Sequence, residues 1–255
     1  MLVHDRHQQI LKLLHQHQTV KTSELIERFG VSFETIRRDL DYLEREGFLR
    51  RIHGGATLPA SDYQKELPFT VREAKRVHEK RQLVKYAVRY VEEGQSMFLD
   101  VSTTNTEFAR ELAANFDRLT VLTNSFQIAS ILMEKPQFTI IFIGGQVRNS
   151  ERCVVGNYAE SFAAQFHADL FFMSVSGISL TNGLTDYGIG EVQLKKKMLE
   201  CSQKIIVLAD SSKFNVVSLL PVCSLDRIDK IVTDPGIPPE VLEQYRAAGV
   251  DVICR

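Results

Sequence analysis

Apolar residues in the first 58 positions recur at helical spacing: Ile10, Leu11 and Leu14, then Leu25, Ile26 and Phe29, then Ile36, Leu40 and Leu43. Side chains three and four apart share one face of a helix, so the pattern predicts three amphipathic helices around a common core. Thr22 or Ser23 is placed to cap the second helix, Gly30 to make the turn after it, and Ser32 to cap the third. Gly47 is expected to end the third helix, and residues 48–58 read as two short strands around Gly54 and Gly55, a hairpin signal.

From residue 97 the period changes. Short β-branched or aromatic runs at 97–101, 119–123, 138–143, 170–175, 205–209, 230–233 and 250–254 alternate with amphipathic stretches at 104–115, 126–134, 158–166, 191–202 and 239–248. Such alternation predicts βαβ units and a mostly parallel sheet covered by helices. Between the two patterns, residues 58–68 carry Pro59 and Pro68 and no periodicity, which reads as a linker. A charged helix is predicted over 71–93, ending at Gly94, with Arg72, Glu73, Lys75, Arg76, His78, Glu79, Lys80 and Arg81 facing water. The expected class is α/β: a winged helix-turn-helix at 1–58, a linker and the start of a connecting helix at 59–80, and a mostly parallel α/β domain at 81–255.

Composition narrows this picture. The chain has 255 residues, 44% of them hydrophobic, enough for more than one core. It shows no run of about 18 uncharged apolar residues and no apolar leader behind His4, Asp5 and Arg6, so neither a membrane span nor a secretory signal is expected. The four cysteines, Cys153, Cys201, Cys223 and Cys254, lack metal-site spacing and fit a reducing, cytoplasmic setting. No metal or cofactor is expected. Net charge is −1 and the pI about 6.7, so any nucleic-acid footprint must be local.

Such a footprint is present. With Ile36, Leu40 and Leu43 turned inward, the third helix presents Glu34, Thr35, Arg37 and Arg38 at its start, where recognition helices meet base edges. Arginine bonds guanine bidentately, and Ser32 and Thr35 suit phosphate or base. Asp39, Asp41, Glu44 and Glu46 are expected to keep phosphate away from its far half. Arg51, His53 and Gly54 put donors and a tight turn on the wing. In the second half, short polar loops follow the strands, at Asp100 to Thr104, Thr123 to Ser125, Gly144 to Gln146, Ser176 to Gly177 and Asp210 to Lys213. The carboxyl edge of an open α/β sheet is where ligands bind, and hydroxyls at helix N-termini suit an anion such as phosphate.

The strings RHQQIL at 6–11, SFETIRRDL at 32–40 and RIHGGA at 51–56 resemble the N-terminal signature of the DeoR family of bacterial sugar-metabolism regulators, and the resemblance continues through the second half. It implies a sensor domain similar to ribose-5-phosphate isomerase and coenzyme A transferase folds, with a phosphorylated sugar or related metabolite as ligand. Carried over residue by residue, the family's Asp-x-Gly-Thr-Thr motif falls on Asp100, Val101, Ser102, Thr103 and Thr104, and its Thr-Asn on Thr123 and Asn124. Its Gly-Gly falls on Gly144 and Gly145, its helix acid on Glu191 with a basic residue at Lys195 or Lys197, and its Asp-x-Ser-Lys-Phe on Asp210, Ser212, Lys213 and Phe214. Ser102 departs from the family's glycine.

Roles follow as expectations. Ser102, Thr103, Thr104 and Asn124 would capture phosphate, Asp100 and Asp210 would meet sugar hydroxyls or support loops, and Lys213 would answer the anion's charge. Glu191 is either a ligand contact or a carboxylate favoured at a helix N-terminus. The expected function is an operator-binding repressor tuned by a phosphorylated sugar. It would work as a homo-oligomer, dimer or tetramer, and without catalysis; a sugar-phosphate isomerase or transferase fused to a DNA-binding head is the alternative.

Overall fold

The computed structural model describes residues 3–17, 19–45, 48–57 and 67–254, in two compact units, 1–72 and 73–255. In the first, α1 (Val3–His17), α2 (Thr22–Phe29) and α3 (Phe33–Arg45) enclose a core of Ile10, Leu14, Leu25, Ile36, Leu40 and Leu43. A small antiparallel sheet of order β1-β3-β2 closes it, from β1 (Thr19–Lys21), β2 (Arg50–Ile52) and β3 (Gly55–Thr57). The wing hairpin turns through His53 and Gly54, with Ile52 opposite Gly55. Strand β1 was not legible from sequence, yet it dictates a glycine: a Cβ on Gly55 would lie 2.1 Å from the Val20 carbonyl oxygen. Helix α2 begins at Thr22 behind Lys21 and has no side-chain cap, so neither Thr22 nor Ser23 caps it. Gly30 does make the turn, in the left-handed conformation at φ 62°. The endings assigned to Gly47 and the linker over 58–66 lie outside the described residues.

The helix expected over 71–93 is two: α4 (Phe69–Ala74) and α5 (Val77–Ala87), followed by a 3₁₀ turn at Val88–Tyr90. The break lies at Arg76, left-handed at φ 50°, a conformation no helix interior accepts. The charged run is also not wholly solvated, because Lys80 is buried with its ammonium on the Lys75 carbonyl oxygen at 2.7 Å.

Beyond α5 the chain runs β4 (Ser96–Leu99), α6 (Thr103–Asn115), β5 (Thr120–Thr123), α7 (Phe126–Leu132), β6 (Thr139–Phe142), β7 (Gln146–Arg148), β8 (Cys153–Val155), α8 (Asn157–Ala163) and β9 (Ala168–Ser174). There follow β10 (Gly177–Ser179), β11 (Gly183–Asp186), α9 (Ile189–Glu200), β12 (Ser202–Leu208), β13 (Leu220–Cys223), β14 (Lys230–Thr233), α10 (Pro239–Ala247) and β15 (Val252–Cys254). The seven runs read as strands form one parallel sheet of order β15-β14-β12-β9-β4-β5-β6. Alternate side chains enter opposite cores. Phe98, Leu122, Phe171 and Val207 face α8, α9 and α10, while Met97, Val121, Phe172 and Ile206 face α5, α6 and α7. Strand order reverses direction between β4 and β9, and the crevice outside that point is where such sheets bind ligands.

Candidate nucleic-acid interface and effector site

Ser32 caps α3, its hydroxyl accepting from the Thr35 amide at 3.2 Å and lying 2.9 Å from the Thr35 hydroxyl. The exposed first turns carry a chain of charge. Arg37 donates to both Glu34 oxygens, at 2.7 and 2.9 Å, and to Asp41 at 3.0 Å; Arg38 reaches Glu34 at 3.3 Å. Hydrogen bonding from Arg37 holds the Glu34 carboxyl down at about 2, so this acid stays ionised. Arg51 ties the wing to the helix through Asp41, and its amide donates to Glu44 at 2.7 Å. His53 and Gly54 lie exposed at the wing tip, where the Gly54 carbonyl accepts from the Thr22 amide.

Two of the acids expected to repel phosphate therefore hold the arginines in place instead. Asp39 does not face outward at all. It is buried and takes two hydrogen bonds from Arg6, at 2.5 and 3.0 Å, plus His7 at 2.9 Å. Those bonds, led by the side-chain hydrogen bond, raise the Arg6 pKa above its ordinary value, and the pair fastens α1 to α3.

In the second unit, Lys195 marks the point where strand order reverses. Its ammonium lies 2.9 Å from Asp100 after β4, 2.5 Å from Asp186 at the end of β11 and 2.5 Å from the Ser174 carbonyl at the end of β9. Burial lifts the Asp100 carboxyl to about 6 against the pull of Lys195. At Asp186 burial acts the same way but is outweighed, chiefly by Lys195, and the net shift is downward. The two carboxylates overcome the burial of Lys195 and raise its pKa, so it stays cationic. Of the two lysines the family resemblance allowed, Lys195 is thus the interior one; Lys197 pairs with Glu200 on the surface. Asp186 was missed, for nothing around it in the sequence marks it.

The remaining expected residues fall into a centre and two flanks. At the centre, Ser102 caps α6 by accepting from the Asn105 amide at 2.9 Å in an extended conformation, φ −165°, that suits serine as well as glycine. Thr103 and Thr104 follow in the first turn of α6, both buried. Asp100 also accepts from the Asn105 amide group at 2.5 Å and the Ser174 N–H at 3.2 Å. Asn124 accepts from the Val101 N–H at 3.1 Å and donates to the Val154 carbonyl at 2.9 Å, which makes it a brace between loops. Glu191, in the first turn of α9, binds Arg148 at 2.6 Å and receives the Cys153 thiol at 3.6 Å. Its other oxygen, Oε2, is buried with no hydrogen-bond partner among the described residues.

One flank holds Gly145, at φ 153° and backed by the Val155 carbonyl 2.9 Å from where a Cβ would stand. The other holds Asp210, which caps the 3₁₀ turn Ser211–Lys213 through the Ser212 amide at 3.0 Å and lies 3.6 Å from Arg76. Lys75 is lowered below its ordinary value first by burial and then by the nearby cations Lys213 and Arg76. A cleft of about 420 Å³ opens on this flank, lined by Arg76, His78, Ser211, Ser212, Asp234 and Gly236. Because β12 and β6 stand two places to either side of β4, the two flanks lie roughly 20 Å apart at normal strand spacing. The nine expected effector residues are one edge, not one point.

Residues 6–62 match the DeoR-like helix-turn-helix domain and residues 75–235 match the DeoR C terminal sensor domain. The chain belongs to the DeoR family of transcriptional regulators. Among curated relatives of this DeoR-family chain, the HTH-type transcriptional regulator GolR of Listeria innocua is 33% identical over 99% of this chain and 98% of its own. The glycerol-3-phosphate regulon repressor of Escherichia coli K12 is 33% identical over 93% of each. The HTH-type transcriptional repressor CsqR of Escherichia coli is 30% identical over 97% of this chain and 94% of its own. Among solved structures, ribose 5-phosphate isomerase A from Methanocaldococcus jannaschii aligns at 19% identity and TM-score 0.39 over 53% of each chain. The translation initiation factor eIF-2B of Pyrococcus horikoshii aligns at 13% identity and TM-score 0.45 over 90% of this chain and 87% of its own. The DeoR-family chain is a DNA-binding transcriptional regulator whose reading head is the unit with α3 and the wing. Among the described residues no helix is long and apolar enough to cross a membrane.

Proposed function

We propose that this regulator represses a carbohydrate-utilisation operon and that a phosphorylated sugar at the carboxyl edge of its parallel sheet changes its operator affinity. Ser32, Thr35, Arg37 and Arg38 meet the major groove, Glu34 orients the two arginines there, and Arg51, His53 and Gly54 of the wing meet the adjacent backbone. The protein works in the cytoplasm as a homo-oligomer on paired half-sites.

The observation that carries the effector half is the orphaned Glu191 Oε2, a buried acceptor one helical turn from Lys195. A sugar hydroxyl would satisfy it. The amides and hydroxyls of Ser102, Thr103 and Thr104 at the start of α6 suit the phosphate, and the α6 N-terminus favours its charge. Lys213, with Lys75 and Arg76, adds positive potential on the flank. Asp100, Asn124 and Asp210 already make framework bonds, which fits loop support better than ligand contact, and Gly145 lets the other flank pack closely on Val155.

The edge holds the ligand without turning it over, since the central ammonium is already committed to Asp100 and Asp186. The sugar phosphate acts only by binding DNA-competent and incompetent states with different affinity. A thermal-shift panel of sugar phosphates, repeated with operator DNA, tests this: one compound should raise Tm, and Glu191→Ala should abolish the rise. No response to any compound refutes the effector reading, and ribose 5-phosphate turnover lost in Glu191→Ala refutes the absence of catalysis. On the head, Arg37→Ala with Arg38→Ala should weaken operator binding; undiminished sequence-specific binding refutes the placement.

A further inference from the structure

We infer that Phe33 is a specificity-determining residue which reads the 5-methyl group of a thymine in each operator half-site. Phe33 is the first residue of α3, between the capping Ser32 and the charged pair of Glu34 and Arg37. It is 59% exposed, whereas the inward apolar residues of the same helix, Ile36, Leu40 and Leu43, are at 0–1%. The other exposed aromatic of α3, Tyr42, has a place inside the head, its ring stacked on His7 at 5.0 Å between centroids. Among the described residues Phe33 has no such ring partner.

A benzene ring at the opening turn of a recognition helix sits where base edges are read. It has no hydrogen bond to give or take, so it can tell bases apart only by apolar contact. In the major groove one base pair type offers an apolar group, the thymine methyl. Neighbouring donors would fix the helix in register: Ser32 and Thr35 hydroxyls and the amides of the first turn on phosphate, Arg38 on a base or backbone oxygen. Contact with DNA would then cover a ring that folding has left in water.

This rests on α3 being the reading helix, and the experiment separates the two claims. Duplexes selected from a random pool by the full-length protein are remade with each thymine replaced in turn by deoxyuridine, which removes the methyl and nothing else. One position per half-site should lose affinity about fourfold, the worth of one buried methyl-sized group. In Phe33→Ala that thymine–uracil difference should vanish while the other positions keep their profile, and Phe33→Leu should retain part of it. Because Phe33 is exposed, both variants should fold as the parent does, which circular dichroism checks. The inference is overturned if no thymine is sensitive in the parent protein, if Phe33→Ala keeps the parent's profile, or if it weakens every duplex equally. If Arg37→Ala with Arg38→Ala also leaves binding intact, α3 itself is misassigned; if the arginine variant weakens binding and the profile survives Phe33→Ala, only Phe33 is.

Discussion

Replacing Lys195 by methionine keeps most of the side-chain volume and removes the cation that lies between Asp100 and Asp186. The Lys195 and Asp100 side chains are each 4% exposed and that of Asp186 14%, so water cannot take over the lost charge. Breaking a buried ion pair by deleting one partner costs about 3–5 kcal/mol. For a unit of this size each kcal/mol moves Tm roughly 2–4 °C, so the sensor should melt roughly 6–20 °C lower at pH 8. The deficit should depend on pH. Asp100 in the folded protein already sits near 6, above its ordinary 3.8, so its contribution to stability is present below 3.8 and is lost as pH rises through about 6. Without Lys195 it rises further, and Asp186 loses the cation that holds it low. Both then take up protons in mild acid, and the gap to the parent protein should narrow from pH 8 to pH 5. Scanning calorimetry of the full-length pair at the two pH values measures it. A Tm within about 2 °C of the parent at pH 8, or an equal gap at both pH values, would refute the reasoning.

Three other substitutions probe the head. Asp39→Asn strips the buried partner from Arg6 and should cost the head about 3 kcal/mol, seen as faster hydrogen exchange in α1 and α3 with the sensor amides unchanged; equal protection in both proteins refutes it. Glu34→Gln frees Arg37 and Arg38 from their shared carboxylate and removes a negative charge facing phosphate, so binding to DNA of any sequence should tighten about two- to fivefold with a steeper salt dependence. Weaker binding would mean that the carboxylate itself contacts a base. Gly55→Ala forces a Cβ against the Val20 carbonyl and should weaken operator binding by displacing the wing, with sensor Tm unmoved; parental affinity would count against a fixed wing.

The large sheet was legible because its inner strands are buried on both faces, which writes a continuous apolar run into the sequence, as in β9. Of the small sheets, the wing hairpin of β2 and β3 could be read from Gly54 and Gly55, but the rest could not. β1, β10 and β11 are three or four residues long, and what specifies them is a partner elsewhere in the chain. The break at Arg76 left no proline or glycine to announce it. In the head, the capped turn and the basic helix start could be read directly, but Asp39 could not be told from Asp41 without knowing that Arg6, 33 positions earlier, comes to lie against it. The same holds for Lys195 and Lys197: two residues apart on a helix point to different sides, and only the location of Asp100 decides which one is inside.

Asp41 receives Arg37 from its own helix and Arg51 from the wing, and Glu44 takes the Arg51 amide, so the two elements proposed to address DNA are clasped through neighbouring carboxylates. The reading head thus behaves as a two-tined fork with preset spacing. Little ordering remains to be done on contact, and binding energy that would go into arranging loose arginines is kept for discrimination. A fork of fixed gauge also rejects: DNA whose groove width differs from that gauge can engage one tine or the other, and the protein would sense local duplex shape before any base edge is touched.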